Sequence, residues 1–217
     1  MIKNMKLLLT SAGITNQLIA NTLVDMVGKE AKDIKVAFIP TAANVEEGDK
    51  VAWFFRQYED LRRMGIAWID MVDFAAADVD WRARLDACDV LYLSGGNTFY
   101  LLDQIRKQGF DDYLKIALDS KVYVGGSASS ITMTPSIDVA AIPPGDPNLP
   151  NLTDLTGLNY VDFEIEPHCD EERFGTVEMY AKEHNKRIYA IDDQTAIKVI
   201  DNRIEVVSEG KWKANNV

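Results

Sequence analysis

Short apolar runs alternate along this chain with longer stretches whose apolar residues recur at helical spacing. Residues 6–9 predict a buried strand and residues 14–29 a helix. Residues 35–39 predict a strand that ends at Pro40-Thr41. Val51, Phe54, Phe55, Tyr58 and Leu61 fall on one face at helical spacing, which predicts an amphipathic helix over 51–64. A strand over 66–72 and a short helix over 81–85 follow. Residues 89–93 predict an apolar strand closing in Ser94-Gly95-Gly96, with helices over 97–107 and 111–118 behind it. Residues 121–124 predict a strand running into Gly125-Gly126-Ser127. The last third reads as strands over 161–166, 187–191, 195–200 and 204–207, with one helix over about 172–183. Asp201-Asn202 is a hairpin turn between the last two strands.

This rhythm predicts an α/β fold: a mostly parallel sheet with helices on both faces, in one domain covering residues 1–217. There is no internal repeat and no linker. In such sheets ligands meet the chain where strand C-termini turn into helices. Small and polar clusters fall at those places: Thr10-Ser11-Ala12-Gly13, Pro40-Thr41-Ala42-Ala43, Ser94-Gly95-Gly96-Asn97 and Gly125-Gly126-Ser127. Residues 137–159, with Pro143, Pro144, Pro147 and Pro150, predict a long surface loop of the kind that often borders a site. Trp53, Trp68 and Trp81 sit in helix or strand patterns and read as core, whereas Trp212 reads as an edge or subunit contact.

Composition narrows the function classes. The chain has 217 residues, 47% hydrophobic and 26% charged, the profile of an ordinary soluble globular protein. A net charge of −11 argues against nucleic acid and against anionic membrane as partners. The apolar run near the N-terminus is too short for a signal core or a membrane span. Two cysteines, Cys88 and Cys169, make no disulfide framework, and a cytoplasmic location is expected. No metal-ligand spacing is present, so no metal and no cofactor is expected.

Chemistry concentrates at Val122-Tyr-Val-Gly-Gly-Ser127-Ala-Ser-Ser-Ile. A strand passes through small residues into a serine, and a helix pattern follows. This is the arrangement of a nucleophile elbow, with N–H groups at the helix start available to an oxyanion. Ser129 stands where the usual Gly-x-Ser-x-Gly pattern has its last glycine. Ser127, Ser129 or Ser130 could equally cap the helix. A serine nucleophile needs a base, and the chain has two histidines. His168 follows a predicted strand, at the same kind of position as Ser127; His184 ends a helix, where the helix dipole and solvent suit it. A histidine base predicts activity that rises with pH as the imidazole loses its proton. The group that orients the imidazole could be Asp138, Asp146, Glu166 or Asp170.

Three ordered motifs carry a family resemblance over nearly the whole chain. Ser94-Gly-Gly-Asn-Thr-Phe-Tyr-Leu-Leu102 resembles a signature of the peptidase E group, aspartyl dipeptidases related to cyanophycinase. Tyr123-Val-Gly-Gly-Ser-Ala-Ser-Ser resembles that family's nucleophile motif, and Asp162-Phe-Glu-Ile-Glu-Pro-His168 its histidine motif. The resemblance implies a fold similar to class I glutamine amidotransferases, that is, flavodoxin-like. It implies a serine dipeptidase that releases N-terminal aspartate from small peptides without a metal, as a monomer or homodimer. Ser127 would be the nucleophile, His168 the base, and Asp138 the acid, with Asp146 second. Gly96 and Ala128 would form the oxyanion hole, and Asn97 and Arg173 would bind substrate, Arg173 through the aspartate side chain. Ser129 leaves room for a catalytically silent, ligand-binding member, or for a peptidase of other specificity.

Overall fold

Apolar residues on both faces of the central strands determine the architecture. The computed structural model describes residues 4–216. In chain order the elements are β1 (Lys6–Thr10), α1 (Gln17–Val27), β2 (Lys35–Ile39), α2 (Ala52–Arg63), β3 (Trp68–Met71), α3 (Trp81–Asp86), β4 (Val90–Leu93), α4 (Thr98–Gln108), α5 (Phe110–Ala117) and β5 (Val122–Gly126). They continue with α6 (Ala128–Ile131), β6 (Glu164–Glu166), α7 (Glu171–Glu183), β7 (Ile188–Ile191), β8 (Thr195–Ile200), β9 (Arg203–Ser208) and β10 (Trp212–Asn215).

The main sheet has strand order β3-β2-β4-β5-β1-β8-β9. The first five strands of that order pair in parallel, and β8 and β9 add an antiparallel ribbon beside β1. The sheet is therefore mixed. Successive side chains point to opposite faces. Leu7, Leu9, Leu91, Leu93 and Tyr123 enter one core with α3, α4 and α5. Leu8, Val36, Phe38, Tyr92 and Val124 enter the other with α1 and α2. Burying each such side chain stabilises the fold by about 1.5–3 kcal/mol.

Helix ends follow local chemistry. The Asn16 side chain accepts from the Ile19 N–H and Gly28 closes α1 in the left-handed region, so the helix is shorter than the 14–29 predicted. On α2 the inward face differs from the predicted stripe: Phe55 is exposed, and Gln57 is buried beside Leu61. Of the tryptophans expected in the core only Trp81 is fully buried; Trp68 is exposed on the edge strand β3.

A second sheet, β10-β7-β6, packs under α7 through Phe174, Val177, Ala181, Ile188 and Ala190. The proline-rich loop has an apolar underside of its own, with Ile137, Val139, Ala140 and Ile142 buried against Phe99, Leu102 and Ile131. Among the described residues no helix is long and apolar enough to cross a membrane.

Candidate active site

The parallel strands β1, β4 and β5 end at one edge of the main sheet, and the antiparallel β8 begins there, with Thr10 opposite Ala196. The turn before β8 thus opens beside the residue after β5, Ser127. Ser127 has φ 52 and ψ −111, a conformation L-residues rarely adopt and one that lifts the side chain clear of the strand. Its N–H donates to the Thr10 carbonyl at 3.0 Å. The serine is held by close approach: a Cβ at Gly125 would sit 2.9 Å from the Ser129 carbonyl oxygen.

Ser129 is fully buried behind this turn. Its hydroxyl donates to the Leu93 carbonyl at 2.6 Å and accepts the Gly126 N–H at 2.8 Å. It therefore ties the end of β4 to the end of β5. Ser130 likewise donates to the carbonyls of Thr10 and Gly125. Neither hydroxyl caps α6, which has only four residues, so its dipole is small and single N–H groups matter more than the helix.

His168 also has positive φ, 57°. Its Nε2 lies 2.9 Å from Ser127 Oγ, and its Nδ1 lies 2.6 Å from Asp193 Oδ1. A carboxylate at Nδ1 fixes the tautomer: Nδ1 carries the proton and donates, and Nε2 accepts from the serine hydroxyl. The hydrogen bond from His168 holds the Asp193 carboxyl below its usual value against the opposing effect of burial, with Ser11 assisting. Ser11, at the end of β1, donates to Asp193 at 2.7 Å and accepts the His168 backbone N–H at 2.8 Å.

Asp193 sits in the turn between β7 and β8. Its neighbour Asp192 builds the turn by accepting from the Gln194 N–H and the Thr195 hydroxyl, which leaves the Asp193 side chain to face His168. The four carboxylates considered from sequence are engaged elsewhere. Asp138 lies 3.9 Å from Lys186 Nζ, on a 3-10 turn. Asp146 accepts the Thr98 N–H, Glu166 pairs with Arg173, and Asp170 caps α7. Neither Asp193 nor Ser11 was singled out from the chain, although Ser11 lies in one of the expected strand-end clusters. The available signal for Asp193 was a carboxylate in a tight turn at a strand junction.

The loop 94–97 abuts the serine: a Cβ at Gly95 would stand 3.4 Å from the Ser127 Cβ. Gly96 has φ 134, and a Cβ there would fall 2.2 Å from the Ala42 carbonyl oxygen, so this approach requires glycine. Ala128 opens α6, so its N–H has no intrahelical partner. Asn97, expected to bind substrate, is instead 1% exposed. Its Oδ1 accepts the Tyr100 N–H to cap α4, and its Nδ2 donates to the Pro147 carbonyl, bracing the loop. His184 closes α7, its ring tilted against that of Tyr180 with the centroids 4.4 Å apart.

A cleft of about 510 Å³ opens over Ser127 and His168. Pro143, Pro144 and Asp146 of the loop and Glu172 and Arg173 of α7 line it. Arg173 faces the cleft with its donors engaged. It pairs with Glu166 and donates to the carbonyls of Ile142 and Pro143. Burial pushes the Glu166 carboxyl up to about 7 against the pull of Arg173.

The model of peptidase family S51 matches residues 7–207. An uncharacterized peptidase of Listeria monocytogenes is 30% identical over 168 residues, covering 75% of this chain and 80% of that protein. One of Pasteurella multocida is 33% identical over 135 residues, 61% of this chain and 64% of that protein. Among solved structures, a Listeria monocytogenes protein assigned to peptidase E superposes with TM-score 0.77 at 26% identity, covering 95% of this chain and all of that one. A peptidase from an acI-B1 actinobacterium, 15% identical with TM-score 0.65, shares the fold.

Proposed function

The chain belongs to peptidase family S51, and we propose that it hydrolyses small peptides as a serine peptidase through Ser127, His168 and Asp193. The observation that carries this reading is the unbroken hydrogen-bond chain from Ser127 Oγ through both ring nitrogens of His168 to Asp193.

Ser127 Oγ attacks the scissile carbonyl while His168 Nε2 takes its proton. Asp193 stabilises the imidazolium so formed. The backbone N–H groups of Gly96 and Ala128 hold the oxyanion of the tetrahedral intermediate, each worth about 3 kcal/mol in a water-poor site. His168 then returns the proton to the departing amine, leaving an acyl group on Ser127. Water, deprotonated by His168, releases the acid and regenerates the serine. The buried Ser129 hydroxyl, turned toward Leu93, supports a working elbow over a silent one.

An N-terminal aspartate is what likeness to the dipeptidases implies for the acyl side. That preference requires a free cation, and the pairing of Arg173 with Glu166 does not favour it.

The test is hydrolysis of a dipeptide panel, with Ser127→Ala, His168→Ala and a chelator control, alongside labelling by a serine-directed phosphonate. Chelator-resistant cleavage lost in both variants, with phosphonate bound at Ser127, is the expected result. A folded wild type that is neither labelled nor active overturns the reading.

A further inference from the structure

The charges around the cleft are lopsided. Asp146, Asp170 and Glu172 line it, and among the described residues lining it Arg173 is the one permanent cation. Arg173 does not offset those three. Its guanidinium is paired with Glu166, and its side chain is 15% exposed against 5% for Glu166. With Glu166 ionised the pair contributes roughly no net charge, and the arginine's remaining hydrogen bonds go to Ile142 and Pro143 carbonyls.

Beside the N–H groups assigned to the oxyanion, two helix ends add positive potential. Thr98 opens α4 and Asp170 caps α7, so both helices begin at the cleft. Each helix N-terminus is equivalent to about half a positive charge, so together they offset about one carboxylate of the three. The Glu171 carboxylate is paired with Lys211 and does not enter this sum. The cleft therefore retains a potential of about two negative charges, within reach of a residue bound at Ser127.

An independent feature points to a polar ligand group at the same place. Thr98 borders the cleft at 1% exposure, and its Oγ1 has no hydrogen-bond partner among the described residues. A buried hydroxyl without a partner costs free energy until a donor or acceptor arrives. Beside the Asp146 carboxylate, which already accepts the Thr98 N–H, the arrangement suits an ammonium donor.

We infer that the acyl side of the substrate is cationic: a small peptide with a free N-terminus whose first residue is lysine or arginine. The inference rests on the serine-peptidase reading of Ser127. An N-terminal aspartate would bring a further carboxylate among three that lack a free cation. Reversing one unit of charge about 6 Å from a net charge of this size, at a partly solvated site, changes binding by about tenfold or more.

The experiment compares kcat/KM for Lys-, Leu- and Asp-p-nitroanilide at about pH 8, where Glu166 is ionised, in about 20 mM and about 500 mM salt. The expected order is Lys, Leu, Asp, with at least a tenfold gap between first and last that shrinks in high salt. Glu172→Lys, an exposed helical change, moves the Lys-to-Asp ratio toward aspartate by about tenfold. Equal rates on all three, or aspartate cleaved fastest, overturn the inference while leaving the serine mechanism standing. So does phosphonate labelling of Ser127 with none of the three cleaved. Absence of both labelling and cleavage removes the underlying reading, and this inference with it.

Discussion

The hydroxyl of Ser11 accepts the backbone N–H of His168 at 2.8 Å, holding a histidine whose φ is positive. The same oxygen donates to Asp193 at 2.7 Å, so one side chain from the end of β1 fixes both the proposed base and its proposed acid. Ser11→Ala is expected to lower kcat about tenfold with little change in KM, because the loss falls on positioning and not on binding. Ser11→Thr, which keeps the hydroxyl, is expected to restore most of it. Steady-state kinetics on all three proteins check this; a change confined to KM would show that Ser11 acts otherwise.

Asp193→Asn leaves the ring contact but lets the imidazole adopt the wrong tautomer. A fall in kcat of about 10³–10⁴ is expected, as for the corresponding change in serine proteases. Asp138→Asn, which alters a carboxylate 3.9 Å from Lys186, is expected to change kcat less than about twofold. The pair distinguishes the acid in the turn before β8 from the one expected on the loop. Equal losses in both variants would refute the assignment.

Ser129→Ala removes a buried hydroxyl that serves the Leu93 carbonyl and the Gly126 N–H. The cost is about 1–3 kcal/mol, read as a drop of several degrees in Tm for a chain of this size. An unchanged Tm would mean that water or local relaxation satisfies both groups.

Glu166 is an acid whose folded value, about 7, lies above its ordinary 4.5. Over that window the folded protein keeps a proton that the unfolded chain has released. Its contribution to stability is therefore full below about 4.5 and is lost as pH rises through about 7. Above about 7 the ionised carboxylate cancels Arg173, and below it Arg173 faces the cleft uncompensated. The ratio of kcat/KM for Lys- over Asp-p-nitroanilide is expected to rise with pH through about 7 in wild type. In Glu166→Gln it stays flat and lower. A ratio, unlike a rate, cancels the protonation of His168. A flat wild-type ratio would refute the coupling.

The main sheet was legible because its central strands are short continuous apolar runs, buried on both faces. Leu7, Leu8 and Leu9 read as one buried run, and the structure divides them between two cores. The small sheet was less so: β6 has three residues, and β10 is largely exposed, so neither shows a clear period. Ser127 and His168 stood out because one follows paired glycines and the other is one of two histidines. Asp193 did not, because Asp192-Asp193 reads as an ordinary polar turn. Which of the two carboxylates builds the turn, and which faces the histidine, is decided by the Thr195 hydroxyl in the turn itself and by the Lys211 N–H from a segment distant in sequence. The Glu166–Arg173 pair was equally hidden, since it joins a strand to a helix and a charge count sees only the arginine.

The antiparallel placement of β8 beside β1 has a consequence for biosynthesis. On the proposed mechanism, a growing chain that already displays Ser127 and His168 still lacks Asp193. It also lacks the strand that seats Asp193 against Ser11, near the start of the chain. Hydrolytic competence therefore waits until the turn before β8 has been synthesised and β8 has docked beside β1, and a fragment ending before that turn holds the serine and histidine without their acid.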